Sequence, residues 1–190
     1  VTWHLKRDPS VESRPIAVED IECIRQWRNG QMDVLRQSAP ISSSGQLNWW
    51  RDVYLPESSG AEPVQLLFVL LRQGDLLAYG GYTNIDWKAR RAELSFLADT
   101  DLTATPRYAE IKAWYFSFLV EYGFEQLGLL RMFTETYAFR TDHIAVLESV
   151  GLKMEGRLRN HAWTMDRPVD SVIHGILESD ARVQPIWSFE

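Results

Sequence analysis

RAELSFLADTDLTATPRYAEIKAWYFSFLVEYGFEQLGLLRMFTETY, residues Arg91 to Tyr137, reads as a strand, a loop, a long amphipathic helix and a second strand. Residues 91–98 alternate: Ala92, Leu94 and Phe96 face one way, and Arg91, Glu93, Ser95 and Leu97 the other. That period of two is what a strand with two different faces requires. Thr105 and Pro106 pair an N-cap residue with a first-turn proline, so a helix is expected to open there. Ile111, Trp114, Tyr115, Phe118, Leu119 and Tyr122 recur at helical spacing and give that helix an apolar stripe for a sheet to cover. Gly128 is expected to end it. Residues 129–137 are rich in β-formers, and strand, helix and strand then suit a right-handed parallel crossover. Ligands of such units bind beyond the carboxyl ends of the strands, where a helix N-terminus offers unpaired N–H groups.

Working outward, residues 66–71 are a continuous apolar run, Gln73-Gly74-Asp75 is a tight turn and residues 76–83 are a second strand. With 91–98 they make an antiparallel meander. Before them, Ile21, Ile24 and Trp27 have helical spacing with Gly30 as a stop. A second helix is expected over residues 45–55. Residues 3–7 read as a short strand and Asp8 to Pro15 as a loop. After the crossover, residues 140–150 fit a short helix with Ile144 and Leu147 inward, and residues 153–165 and 169–177 fit a hairpin. The last residues lack periodicity, so the expected organisation is one domain, 1–178, and a tail, 179–190.

The bulk numbers set limits. A chain of 190 residues suits one domain with a full core. A net charge of −6 opposes nucleic acid and anionic membrane surfaces as partners. The lone cysteine, Cys23, fits a reducing compartment. With no apolar run of membrane-spanning length and no signal-peptide pattern, the expectation is a cytoplasmic protein. His4, His143, His161 and His174 show no ligand spacing, so no metal is expected. Eight Trp, seven Tyr and eight Phe are more aromatic surface than a plain core uses, and could line a pocket, a core or a dimer contact. Walker, G-x-G-x-x-G, G-x-S-x-G and H-E-x-x-H signatures are absent from the sequence.

The order of elements and the wording of several stretches together resemble the GNAT superfamily of N-acetyltransferases. Those stretches are WRN near residue 28, AYGGYTNID into RAELSFL, YGFEQLGLLRMFTET, and VGLKMEGRLR followed by DSVIHGIL. They are similar to the branch with ribosomal-protein N-terminal acetyltransferases and acetyltransferases of amino-sugar nucleotides. The resemblance implies an α/β single-domain fold. Its mixed sheet has about six to seven strands flanked by helices, with the family's fourth and fifth strands splayed. It implies an acyl-CoA-dependent enzyme moving acetyl from acetyl-CoA to a primary amine by direct attack in a ternary complex. A small-molecule amine, in the finer reading a nucleotide sugar, is the implied partner, and a homodimer is compatible with it. A peptide or protein N-terminus is the alternative acceptor, and a non-catalytic acyl-CoA-sensing or protein-binding module the alternative role.

The same resemblance assigns residues. The pantetheine arm is expected along Leu94, Ser95, Phe96, Leu97 and Ala98. The phosphate loop falls at Arg107, Tyr108, Ala109, Glu110, Ile111 and Lys112, where only the arginine matches the family pattern. Glu110 and Lys112 stand where glycines let phosphate approach the backbone, and Glu110 adds like charge. Either Lys112 partly offsets this as a phosphate partner or the loop DTDLTATP, residues 99–106, makes the nest instead, and Arg140 is expected at the cofactor as well. The family's acidic tyrosine follows an asparagine by seven residues; these positions are Leu147 and Arg140 here, so the proton is expected from Tyr137 or His143, or else the thiolate leaves unaided or takes its proton from water. Glu93 is the expected general base, on a strand where a carboxylate is partly desolvated. The acceptor pocket is expected from Trp27, Arg28, Asn29, Arg36, Trp49, Trp50 and Glu135, with aromatic faces for a sugar or base and arginines for a diphosphate.

Overall fold

The computed structural model describes residues 1–181 and 185–189. Its strands are β1 (Trp3–Leu5), β2 (Asp8–Pro15), β3 (Leu66–Arg72), β4 (Asp75–Asp86), β5 (Arg91–Ala98), β6 (Arg131–Tyr137), β7 (Lys153–Thr164), β8 (Arg167–Leu177) and β9 (Trp187–Phe189). Its α-helices are α1 (Ile21–Gly30), α2 (Ser43–Trp49), α3 (Leu55–Glu57), α4 (Arg107–Glu125) and α5 (Thr141–Ser149). A π-helical turn over Trp50–Tyr54 joins α2 to α3. Among the described residues the strands form one sheet in the order β7-β8-β6-β5-β4-β3-β2-β1-β9. Only β5 and β6 run parallel; every other neighbouring pair is antiparallel.

The crossover from β5 through α4 to β6 is the expected one, and β5 has the expected bounds. Two elements differ. Asp8–Pro15 is a strand, because Val11 and Ser13 turn inward, both fully buried, and the segment pairs with β3. Within the expected tail, Trp187–Phe189 returns to pair with β1. The Glu121 carboxylate of α4 accepts the backbone N–H groups of Ile186 and Trp187 and fixes that return. Residues 182–184 and 190 of the tail lie outside the described residues. These additions take the strand count to nine, above the expected six to seven.

The start of α4 also differs in detail. Pro106 occupies the N-cap position, and the Thr105 hydroxyl donates to the Leu102 carbonyl instead of capping the helix. At the other end α4 stops at Glu125, and Gly128, at φ +62, lets the Leu129 N–H reach the Gly123 carbonyl.

Helices cover both faces of the sheet. One core packs Phe68, Tyr82, Leu94 and Met132 against Ile111, Tyr115, Phe118 and Leu119 of α4. The other packs Val69, Tyr79 and Leu97 against Ile24 and Trp27 of α1 and Tyr54 of the π turn. Gly80 and Gly81 make the middle of β4 fit between its neighbours: at φ +156 and +141, a methyl group on either would land on the carbonyl oxygen of Ser95 or Leu66. Among the described residues no helix is long and apolar enough to cross a membrane. No group of three or more His, Cys, Asp or Glu side chains among them could hold a metal ion.

Candidate active site

β5 and β6 share three paired positions, Arg91↔Arg131, Ala92↔Met132 and Glu93↔Phe133, and no later pair joins them among the described residues. β5 continues through Leu94, Ser95, Phe96, Leu97 and Ala98 paired to β4 alone, and β6 continues to Tyr137 paired to β8 alone. A strand directs its N–H and C=O groups to both sides. Over Leu94 to Phe96 those of β5 on the β6 side therefore face a cavity of about 300 Å³, while further on the Ala98 carbonyl accepts from Gln31 Nε2 at 2.8 Å. Leu94, Ser95 and Phe96 form one wall, Thr134, Glu135 and Thr136 the other, and Phe116 and His143 the floor.

Two groups in this gap are buried without a hydrogen-bond partner among the described residues, Thr134 Oγ1 and His143 Nδ1. Leaving a buried polar atom unpaired costs about 1–3 kcal/mol, so such atoms mark where a ligand or an ordered water completes the site. The His143 ring lies 6.0 Å from Phe96 and 5.6 Å from Phe116. Its burial, then the nearby Arg140, Lys112 and His174, hold the imidazole well below its usual range, so it is neutral. It is thus a buried wall of the gap, not the surface residue that a short helix would suggest.

The gap opens into a cavity of about 370 Å³ lined by Tyr108, Lys112, Arg140 and His143. That cavity meets one of about 730 Å³ over the first turn of α4, from Thr103 to Ala109. Lys112 is 1 % exposed; its Nζ lies 4.2 Å from the Tyr108 ring centroid and donates to the Asp142 carbonyl at 3.4 Å. Burial and then Arg140 lower its ammonium to about 8, against a smaller opposing pull from Asp142. Burial likewise lowers the Arg140 guanidinium, with the Tyr108 hydroxyl opposing. Two desolvated cations beside a helix N-terminus are a charge imbalance that a bound anion relieves. Phosphate groups fit here, and the unpaired edge of β5 fits an amide-bearing arm. Glu110 is exposed and outside these cavities, so its charge does not oppose the anion in the expected way. Arg107, the one match to the expected phosphate loop, is exposed too and lines none of them.

On its other side the gap shares Arg28, Leu35, Thr83, Ser95 and Phe96 with a cavity of about 680 Å³, which Gln46, Trp49 and Tyr79 also line. Glu93 and Glu135 stand on one face of the parted strands. Arg36 lies across them, Nη2 2.8 Å from Glu135 Oε1 and Nη1 3.9 Å from Glu93 Oε1. Asn84 Nδ2 donates to Glu93 Oε2 at 3.0 Å, and His161 Nε2 is 3.4 Å from Glu135 Oε1. Arg28 Nη1 donates to the Tyr79 hydroxyl at 2.9 Å and Nε to Gln37 Oε1 at 3.2 Å.

Four expected site residues do other work. Trp27 is 5 % exposed and belongs to the core under α1. Trp50 stacks on Tyr54 with centroids 4.9 Å apart. Asn29 clasps the loop between α1 and α2: its Oδ1 accepts from Ile41 N and Gln37 Nε2, and its Nδ2 donates to the Ile41 carbonyl. Tyr137 stacks on Phe139 and lines neither the gap nor the cavities that continue it. Thr134, Gln46 and Tyr79 were missed. Thr134 was legible, since it falls in the same inward phase as Met132 and Thr136.

A sheet opened by a wedge-shaped gap, with buried cations and a helix N-terminus at one end, suits a transferase that binds an acyl-CoA. The family model of the acetyltransferase (GNAT) domain matches residues 14–173, and the chain belongs to that family. It is therefore an acyl-CoA-dependent N-acetyltransferase, with acetyl-CoA as its acetyl donor. No curated protein matches the chain. Among solved structures, it is similar to the Vibrio cholerae spermidine N-acetyltransferase in complex with CoA and spermine. The identity is 17%, the TM-score is 0.78, and 90% of this chain and 97% of that one are covered. A dodecameric form of the Vibrio cholerae spermidine N-acetyltransferase matches at 16% identity with a TM-score of 0.73, covering 90% and 95%. A probable acetyltransferase matches at 19% identity with a TM-score of 0.71, covering 90% and 94%.

Proposed function

We propose that the chain acetylates a cationic primary amine that enters beside Glu93 and Glu135. The observation that carries this reading is Arg36, whose guanidinium bridges the two carboxylates at the mouth of the gap. A site that holds one cation between two carboxylates suits the ammonium of an acceptor in the same place. The Vibrio cholerae enzyme crystallised with spermine supplies a precedent for a polycation on this fold. An amino-sugar nucleotide suits the site less well. Arg28 is engaged by Tyr79 and Gln37, and Arg36 by Glu135, so neither guanidinium is free to grip a diphosphate.

Acetyl-CoA, when bound, supplies a thioester whose thiolate is a fair leaving group. Lys112, Arg140 and the first turn of α4 would hold its phosphates, and the edge of β5 over Leu94 to Phe96 would align its arm. Glu93 takes the proton that turns an ammonium into an attacking amine, with Asn84 fixing the carboxylate. The parted strands exclude bulk water from the reacting carbonyl. The test is a thiol-release assay over diamines, polyamines, peptide amines and amino-sugar nucleotides. Linear cationic amines are expected to turn over best; a nucleotide sugar as the best substrate contradicts the reading.

A further inference from the structure

His174 on β8 is fully buried, and neither of its ring nitrogens has a hydrogen-bond partner among the described residues. Each unpaired polar atom costs about 1–3 kcal/mol, which an apolar side chain of similar size would not incur. Its surroundings are directional. On β6 the residue in register with His174 is Thr134, whose buried Oγ1 is unpartnered and lines the gap. Cross-strand neighbours of this kind share a face with Cβ atoms about 4.5–5.5 Å apart. His143 of α5, whose buried Nδ1 is also unpartnered among the described residues, lines the gap with Thr134 and lies within the electrostatic reach of His174. On the far side, His174 Nε2 lies 3.5 Å from Glu148 Oε1 of α5, a side chain 56% exposed. Buried polar groups arranged this way are completed by ordered water, each molecule making two to four hydrogen bonds. Thr134 and His143 at the gap, His174 in register with Thr134, and Glu148 at the surface thus line up as a row of polar groups between the gap and solvent, which we call a seam.

We propose that this seam is a proton path that supplies the departing sulfur, with His174 as its relay and Glu148 as its port. The inference rests on the acetyl-transfer reading above. The amine nitrogen bonds to the acetyl carbon, and the C–S bond breaks with its electron pair on sulfur. An acceptor entering as an ammonium sheds two protons, the first through Glu93; sulfur gains one, so each turnover releases one proton net. Sulfur receives its proton through the seam. Position 147, beside Glu148 on α5, is a fully buried leucine and has no proton to give.

A neutral imidazole passes a proton by accepting on one ring nitrogen while releasing from the other, and needs no lasting charge. The charged groups around the seam favour passage over storage. His143 is faced by Lys112 of α4 and by Arg140, and both hold it neutral. His174 is faced by Glu148 and His143 of α5, and Glu155 of β7, paired with Arg131 of β6, lies within its field.

The experiment measures kcat and KM against pH, in water and in deuterium oxide, for the wild type, Glu148→Gln and His174→Gln. His174→Gln is expected to lower kcat by about a hundredfold, the low end for a positioned proton donor, with KM for acetyl-CoA unchanged. Imidazole added to the buffer is expected to restore part of that turnover. Glu148→Gln, at a mostly exposed position that the fold tolerates, is expected to lower kcat increasingly as pH rises. Its result stands alone should the His174 variant not fold. Wild-type pH profiles and isotope effects in the folded variants overturn the path, as does a loss in His174→Gln that imidazole leaves unrestored while Glu148→Gln behaves as wild type. A wild type inactive towards every amine overturns the acetyl-transfer reading itself, and with it the path.

Discussion

Glu93 and Phe133 are the last facing residues of β5 and β6 that remain paired, and the gap opens from the next residue of each strand. The general base proposed for the reaction therefore sits at the hinge of the wedge. Its carboxylate is fixed by Asn84 and faces the mouth, while the reacting carbonyl is expected deeper in the gap.

Glu93→Gln keeps the shape and removes the base. Turnover at neutral pH is expected to fall by about 10²–10⁴. The dissociation constant for acetyl-CoA is expected to stay put, because Glu93 does not line the cavity that Lys112 and Arg140 share over α4. Steady-state kinetics with parallel calorimetry checks both, and unchanged turnover across the pH range removes Glu93 from the mechanism.

Lys112 is expected to make cofactor binding pH-dependent. Its folded value of about 8 lies below the ordinary 10.5, so between those pH values the unfolded chain binds more protons and stability rises with pH. Phosphate favours the charged ammonium, so binding of acetyl-CoA near pH 8 is expected to draw a proton from solvent onto Lys112, and to weaken above that pH. Calorimetry in two buffers of different ionisation enthalpy measures the uptake. Lys112→Met is expected to abolish it; uptake that survives the substitution places the phosphates elsewhere.

Arg36 is more than half exposed, and exposed ion pairs contribute about 0–1 kcal/mol. Arg36→Ala is expected to leave the melting temperature almost unchanged while lowering KM for a cationic amine, since the competing guanidinium is gone. A raised KM shows instead that Arg36 holds the acceptor.

Gly80→Ala drives a methyl group onto the Ser95 carbonyl at a backbone angle that side chains rarely adopt. Strain of that kind costs at least about 1–3 kcal/mol before the clash is added. Denaturant unfolding is expected to show a loss of that size or more, and to show a smaller one for Gly45→Ala, whose nearest atoms are the flexible side chains of Ser42 and Ile41.

The crossover was legible because local rules agree there. The period-two pattern of 91–98, the helical stripe from Ile111 to Tyr122 and the β-formers after Gly128 all demand the same unit. Asp8–Pro15 was not, because Asp, Pro and Ser favour loops, and only Val11 and Ser13 reveal its inward phase. β9 is three residues long, too short to show a period.

Positions that line the gap were legible where a strand fixes them, as for Glu93, Glu135 and Leu94 to Phe96. Residue type alone misled elsewhere. Trp27, Trp49 and Trp50 look equivalent in the sequence, yet only Trp49 lines a cavity, because the turn of α1 and the π turn aim the other two at the core. His143 is buried by Phe96 and Phe116, partners that lie far away in the chain and so leave no mark on the sequence around it.

Amide hydrogen exchange with and without acetyl-CoA reads the parted strands most directly. The account predicts slowed exchange along Leu94 to Ala98 and in the first turn of α4 when acetyl-CoA is present. Acetyl-CoA bound with no change in those amides, or no binding at all, contradicts it.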